Sequence, residues 1–174
     1  FAADGRCDRR GVPSARTVPV GEACGAVFVH PGAAPGPLPS CERWPDQAFV
    51  WSSARAFRVP VPWRTVLVNA FDLHHLDAVH HRALVSPPVF ENPAPDRLRM
   101  RYATRVVGSG LSDRLTRLPA TDQVDLWLTS IGGPVMTVEV DLGRTRTAAV
   151  VGVVPDGEGT WLRLAVGVPQ GFGG

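Results

Sequence analysis

By length, the chain of 174 residues is one domain, or a domain with part of another. Its 18 basic and 16 acidic residues leave a formal net charge of +2, too small an excess to indicate nucleic acid or an anionic membrane as a partner. No run of 18 apolar residues offers a membrane span, and 18 glycines with 17 prolines predict many turns and short strands.

The first residues, FAADGRCDRR, lack the basic region, apolar run and cleavage site of a secretory leader. Gly5 to Arg10 reads as a turn. TVPV (17–20) and AVFVH (26–30) are β-rich runs joined by GEACG, as in a hairpin, and PGAAPGPLPS from Pro31 reads as a linker. Cys7, Cys24 and Cys41 are evenly spaced, but no CxxC or CxH pair occurs. They read as three reduced, partly buried cysteines of a cytoplasmic protein, not as a disulfide framework or a zinc site.

RAFRVPV (55–61) alternates and predicts a strand, followed by one helix from Trp63 or Thr65 to Leu84. Pro87, Pro88, Pro93 and Pro95 predict an irregular crossing. LRMRYATRVV (98–107) alternates again, with Arg99, Arg101 and Arg105 toward water. LSDRLTRLP (111–119) predicts a short helix capped by Ser112, with Leu111, Leu115 and Leu118 on one face. Four strands follow at 124–130, 134–142, 146–155 and 160–168, the last two as a hairpin. Helices packed on an antiparallel sheet make an α+β fold. The five tryptophans read as core or cavity wall. Gly108-Ser109-Gly110 lacks the rest of a nucleotide-binding pattern, and no G-x-S-x-G occurs.

Four of the five histidines lie in VNAFDLHHLDAVHHRAL (68–84), together with two carboxylates. Two His with one carboxylate suit a non-haem Fe(II) centre with open positions. On a regular helix His74 and His81 share a face but stand about 10 Å apart along the axis, too far for one ion. They read as surface or supporting groups. His75 and His80, five apart, diverge on a regular helix, so one metal could take both only if the helix ended or bulged between them.

As Asn69-x-x-Asp72-x-x-His75-x-x-x-x-His80, the stretch resembles the N-x-x-D-x-x-H-x-x-x-x-H motif of the catalytic domain of Rieske non-haem iron oxygenases. RVPVPWRTVLVN before it and LVSPPVF after it are similar to the family's flanks. FAADGRC, RTVPV and GAVFVHPG resemble the end of its Rieske domain. The resemblance implies a β-rich remainder of a Rieske-like domain over 1–40 and a partial helix-grip catalytic domain over 41–174, whose curved sheet and helices enclose an apolar cavity. It implies mononuclear Fe(II) on His75 and His80, Asp72 as the bridge for electrons from a neighbouring subunit's cluster, and Asn69 as a nearby polar residue. The [2Fe–2S] cluster is expected only in a longer protein, because C-x-H and C-x-x-H are both missing here. Implied partners are O2, a small apolar substrate (aromatic, steroid or terpenoid), a ferredoxin or reductase donor, and further copies in a trimer-like ring.

The family's third iron ligand is an Asp on a late helix, and this sequence ends in PQGFGG after a predicted strand. Glu139, Asp141, Asp156 and Glu158 are the late carboxylates. All four read as solvated strand or turn residues. The chain is expected to be clipped at both ends. The alternative reading is a non-catalytic helix-grip module that binds an apolar ligand, or a degenerate oxygenase remnant.

Overall fold

The computed structural model describes residues 18–30, 36–53 and 56–171. Cys7, the turn at 5–10 and the first half of the 31–40 linker therefore lie outside the described residues. A two-stranded hairpin comes first: β1 (Val20–Ala23) pairs with β2 (Ala26–Val29) through a turn at Cys24 and Gly25. Gly25 has a φ of +65°, and a side chain there would collide with Trp51 Cβ. The hairpin is tighter than expected, since Gly21 to Ala23 belong to a strand.

The remaining strands form one antiparallel sheet. They are β3 (Phe49–Ser53), β4 (Phe57–Val59), β5 (Arg82–Leu84), β6 (Val89–Ala94), β7 (Arg97–Val106), β8 (Ala120–Ile131), β9 (Val135–Gly143), β10 (Arg146–Asp156) and β11 (Gly159–Pro169). The spatial order is β3-β11-β10-β9-β8-β7-β5, with β4 also on β11 and β6 also on β7. The last four strands and their final hairpin are as expected. Strand β6 runs through the segment expected to be irregular. Pro93 is accommodated because the pairing of β6 with β7 shifts register between Glu91 and Ala94.

Among the described residues three α-helices complete the α+β, helix-grip architecture: α1 (Trp63–Phe71), α2 (His74–His80) and α3 (Leu111–Arg117). Helix α1 lies on one face of the sheet because Trp63, Val66, Leu67, Ala70 and Phe71 form a stripe at helical spacing. That stripe packs on Met100, Leu128, Met136 and Val153. No helix among the described residues is long and apolar enough to cross a membrane. Helix α3 corrects the expected cap. Its N-cap is Gly110, whose N–H donates to Asp113 Oδ2 at 3.0 Å, and Leu111, Leu115 and Leu118 all face solvent.

The opposite face is covered by the segment around 41–49. Glu139 is buried there to 1% exposure, and its two carboxylate oxygens accept the backbone N–H groups of Glu42 and Arg43, each at 2.9 Å. It is a clamp, not a solvated strand residue. Arg43 stacks over Trp127 at 3.9 Å and pairs with Asp141 at 3.1 Å, while Trp44 meets Trp127 edge-on. Arg99 faces this layer and not water, paired with Glu42 and Glu91.

Removing the Glu139 carboxylate leaves two N–H groups unsatisfied, each costing about 1–3 kcal/mol. Glu139→Ala should lower urea-unfolding stability by roughly 3 kcal/mol at constant slope. A change below about 0.5 kcal/mol would show that other contacts hold the segment.

Asp113 supplies a pH test. The Arg82 guanidinium, hydrogen-bonded at 2.8 Å, holds its carboxyl below the ordinary carboxylate range, opposed by burial and helped by the Gly110 N–H. A folded value below the unfolded one, about 3.9, stabilises above that unfolded value and is lost as pH falls through the folded one. The stability gap between wild type and Asp113→Asn, measured by denaturant titration, should hold constant near neutrality and narrow below about pH 4.

Candidate metal centre

One helix was expected across 63–84, and the structure breaks it in two. Asp72 takes an extended conformation (φ −83°, ψ 106°) after the end of α1, with its N–H on the Asn69 carbonyl. Its Oδ1 then accepts the His74 N–H at 2.9 Å, an Asx-type turn that starts α2. Helix α2 stops at His80 because His81 is left-handed (φ 51°), and Arg82, beginning β5, donates to the freed His80 carbonyl at 2.8 Å.

The break decides which histidines meet. Continued without interruption, the stripe of α1 would place His74 and His81 toward the sheet. Instead both are exposed, as expected of surface groups, and His75 is half-buried. His75 and His80 sit on the same short helix with no bulge between them. Their rings nevertheless approach, with centroids 5.1 Å apart and planes 70° from parallel. Helical side chains lean toward the N-terminus, and His80 is the last helical residue, so its ring leans back over the turn that carries His75.

His75 Nδ1 is buried without a hydrogen-bond partner; among the described residues only the hydroxyls of Thr129 and Thr137 share that condition. An orphaned buried nitrogen is costly, and a ligand from outside the chain would relieve it. Desolvation, followed by repulsion from His75, Arg82 and His81, pulls the His80 imidazole below its ordinary value. That favours the neutral form, which can donate to a metal. Both imidazoles are thus chemically able to serve as metal donors.

Among the described residues no third donor joins the pair. Among the described residues, the one group of three metal-competent donors lying within 4.8 Å of one another is Cys24, Cys41 and Asp46, which lies elsewhere. Glu139 clamps the opposite face, Asp141 pairs with Arg43, Asp156 pairs with Arg58 at 2.8 Å, and Glu158 is exposed in the β10–β11 turn. Asn69 is exposed on α1, and Asp72 is engaged by the His74 backbone.

The apolar side chains of α1 pack on the sheet. Two apolar cavities, about 700 and 510 Å³, lie between the β1–β2 hairpin and the opposite face of the sheet. Neither is lined by His75, His80, Asp72 or Asn69. Sequence reasoning missed both, and it missed the Cys24, Cys41 and Asp46 group, because their walls come from segments far apart in the chain.

No family model matches the sequence, and no curated protein matches it. Solved structures do. Dicamba monooxygenase bound to 3,6-dichlorosalicylic acid superposes over 98% of this chain and 58% of its own, with 17% identity and a TM-score of 0.65. Its apo form gives 15% identity over 98% and 57%, with a TM-score of 0.63. A quaternary ammonium Rieske monooxygenase gives 16% identity over 97% of this chain and 50% of its own, with a TM-score of 0.57. The structural neighbours are thus Rieske non-haem iron oxygenases, the family that the 69–80 motif resembles, and the shared property is the fold. The chain spans between half and three-fifths of their length.

Because Asp72 starts α2, Asp72→Ala should cost about 1 kcal/mol in thermal unfolding, while Asp72→Asn, which keeps the acceptor, should cost no more than a few tenths. Equal losses would mean that the charge, and not the turn, is what matters.

Proposed function

We propose that this chain is the catalytic-domain portion of a Rieske-type oxygenase, with His75 and His80 as ligands of a mononuclear non-haem iron. The observation that carries the reading is the approach of the two rings at 5.1 Å around an orphaned buried Nδ1, within a fold shared with dicamba monooxygenase. Iron held there would supply O2 activation for hydroxylation, desaturation or demethylation of a small apolar substrate.

The chain's own residues have distinct parts in this reading. His75, half-buried, fixes one ligand direction, and His80, kept neutral by its surroundings, supplies the second. Asp72 sets the start of α2 and so the aim of both rings. Its remaining carboxylate oxygen is the point of approach for electrons from a [2Fe–2S] cluster in a neighbouring copy, itself reduced by a ferredoxin or reductase. A solved neighbour described as giving insights into inter-subunit electron transfer supports that step, and the assembly proposed for this chain is a ring of subunits. The third ligand, a carboxylate, is assigned to no described residue. One neighbour is bound to a chlorinated aromatic acid and another is described as a quaternary ammonium monooxygenase, so the fold does not choose the substrate.

Fe(II) titration under anaerobic conditions tests the assignment. His75→Ala and His80→Ala should each abolish stoichiometric binding. His74→Ala and His81→Gly should retain it, glycine being chosen at 81 because the backbone there is left-handed. Equal effects from all four variants would overturn the ligand assignment and leave the chain as a helix-grip module for an apolar ligand.

A further inference from the structure

We propose a second metal site, for a thiophilic divalent cation of the zinc class, formed by Cys24, Cys41 and Asp46. One donor atom from each lies within 4.8 Å of the other two, and both thiols are buried, at 3% and 9% exposure. Zn–S bonds of about 2.3 Å and a Zn–O bond of about 2.0–2.2 Å require donor separations of roughly 3.5–3.8 Å across a tetrahedron. Cys24 Sγ stands 3.4 Å from Asp46 Oδ2, one such edge. The Pro39 carbonyl oxygen, 3.8 Å from Cys24 Sγ, is placed for a fourth corner that solvent could also fill.

The surrounding backbone holds the three donors in place. Cys24 is one of two non-glycine residues with positive φ among the described residues, at 51°, so the hairpin turn is bent to point its thiol inward. The Cys41 N–H donates to Asp46 Oδ1 at 3.2 Å, leaving Oδ2 directed at sulfur. The Trp51 indole N–H donates to the Asp46 carbonyl at 3.1 Å. Two thiolates with a carboxylate form a soft to borderline donor set, which selects zinc over magnesium or calcium.

Binding exchanges protons for metal: two thiols release two protons, two S–Zn bonds form, and no electron moves. The Cys41 thiol is pushed up by its hydrogen bond with Cys24, by burial and by the charge of Glu139. The site would fasten the β1–β2 hairpin to the 39–48 segment, two parts of the chain that share no strand pairing. It is independent of the iron reading, because none of its donors lies in α2.

Cobalt(II) replaces zinc as a visible probe in the reduced full chain carrying Cys7→Ser, His75→Ala and His80→Ala, so that neither the other thiol nor the histidine pair contributes. One equivalent should bind with a near-ultraviolet thiolate charge-transfer band and the intense visible bands of a tetrahedral ion, and zinc should displace it. Cys24→Ser and Cys41→Ser should each abolish the charge-transfer band, and Asp46→Asn should weaken binding roughly tenfold or more with the fold intact by circular dichroism. Absence of the band at millimolar cobalt, or its survival in either serine variant, overturns the proposal.

Discussion

The extended residue at Asp72 is the constraint on which the arrangement of this molecule turns. It lets α1 commit its whole apolar stripe to the sheet and then releases the chain from that register. Helix α2 can thereby present polar residues that a continuous helix would have directed at Met100 and Leu128. One carboxylate oxygen, accepting one backbone N–H, converts an uninterrupted amphipathic sequence into two helices with different tasks. A second irregularity, the left-handed His81, closes α2 and delivers Arg82 to the sheet edge beside Val106.

The opposite side of the sheet is organised by charge. Glu139 would be an expensive group to bury alone, and it is tolerated because two N–H groups meet its oxygens and Arg43 and Arg99 stand nearby. The same contacts bring Trp44 onto Trp127 and Cys41 beneath Phe49 and Ala148. Among the described residues, helix α1 covers one face of the sheet, and the 41–49 segment, with little regular structure of its own, covers part of the other.

What could be read from the sequence followed the length scale of the signal. The long alternating strands at 124–168 and the 3.6-residue stripe of α1 are local patterns with many repeats, and they appear where their periodicity placed them. Residues 69–80 were legible as a metal-binding candidate because the ligand types are local and their order resembles a family motif, although five-residue spacing on a regular helix would have separated His75 from His80. Features carried by single side chains were not. Asp72 has the same residue type whether it lies inside a helix or ends one, and only its bond to His74 distinguishes the two. Glu139 alternates like any strand residue, and its burial follows from a segment 96 or 97 positions earlier. Cys24 and Cys41 carry no metal spacing in the chain, since folding and not sequence proximity brings them together. The leucines of α3 have helical spacing and yet face solvent, for nothing described packs over them.

The pairing of β3 with β11 joins Ser53 to Ala165. From β8 through β11 the sheet grows by nearest-neighbour hairpins, each closable as soon as it is made. Strand β3 must instead wait for about a hundred further residues before its partner exists. On a ribosome, Phe49, Trp51 and the turn that rests on Trp51 would be synthesised early and buried last. Strand β3 thus waits unpaired until β11 is made, and a product shortened before β11 would expose these aromatic side chains along an unpaired strand.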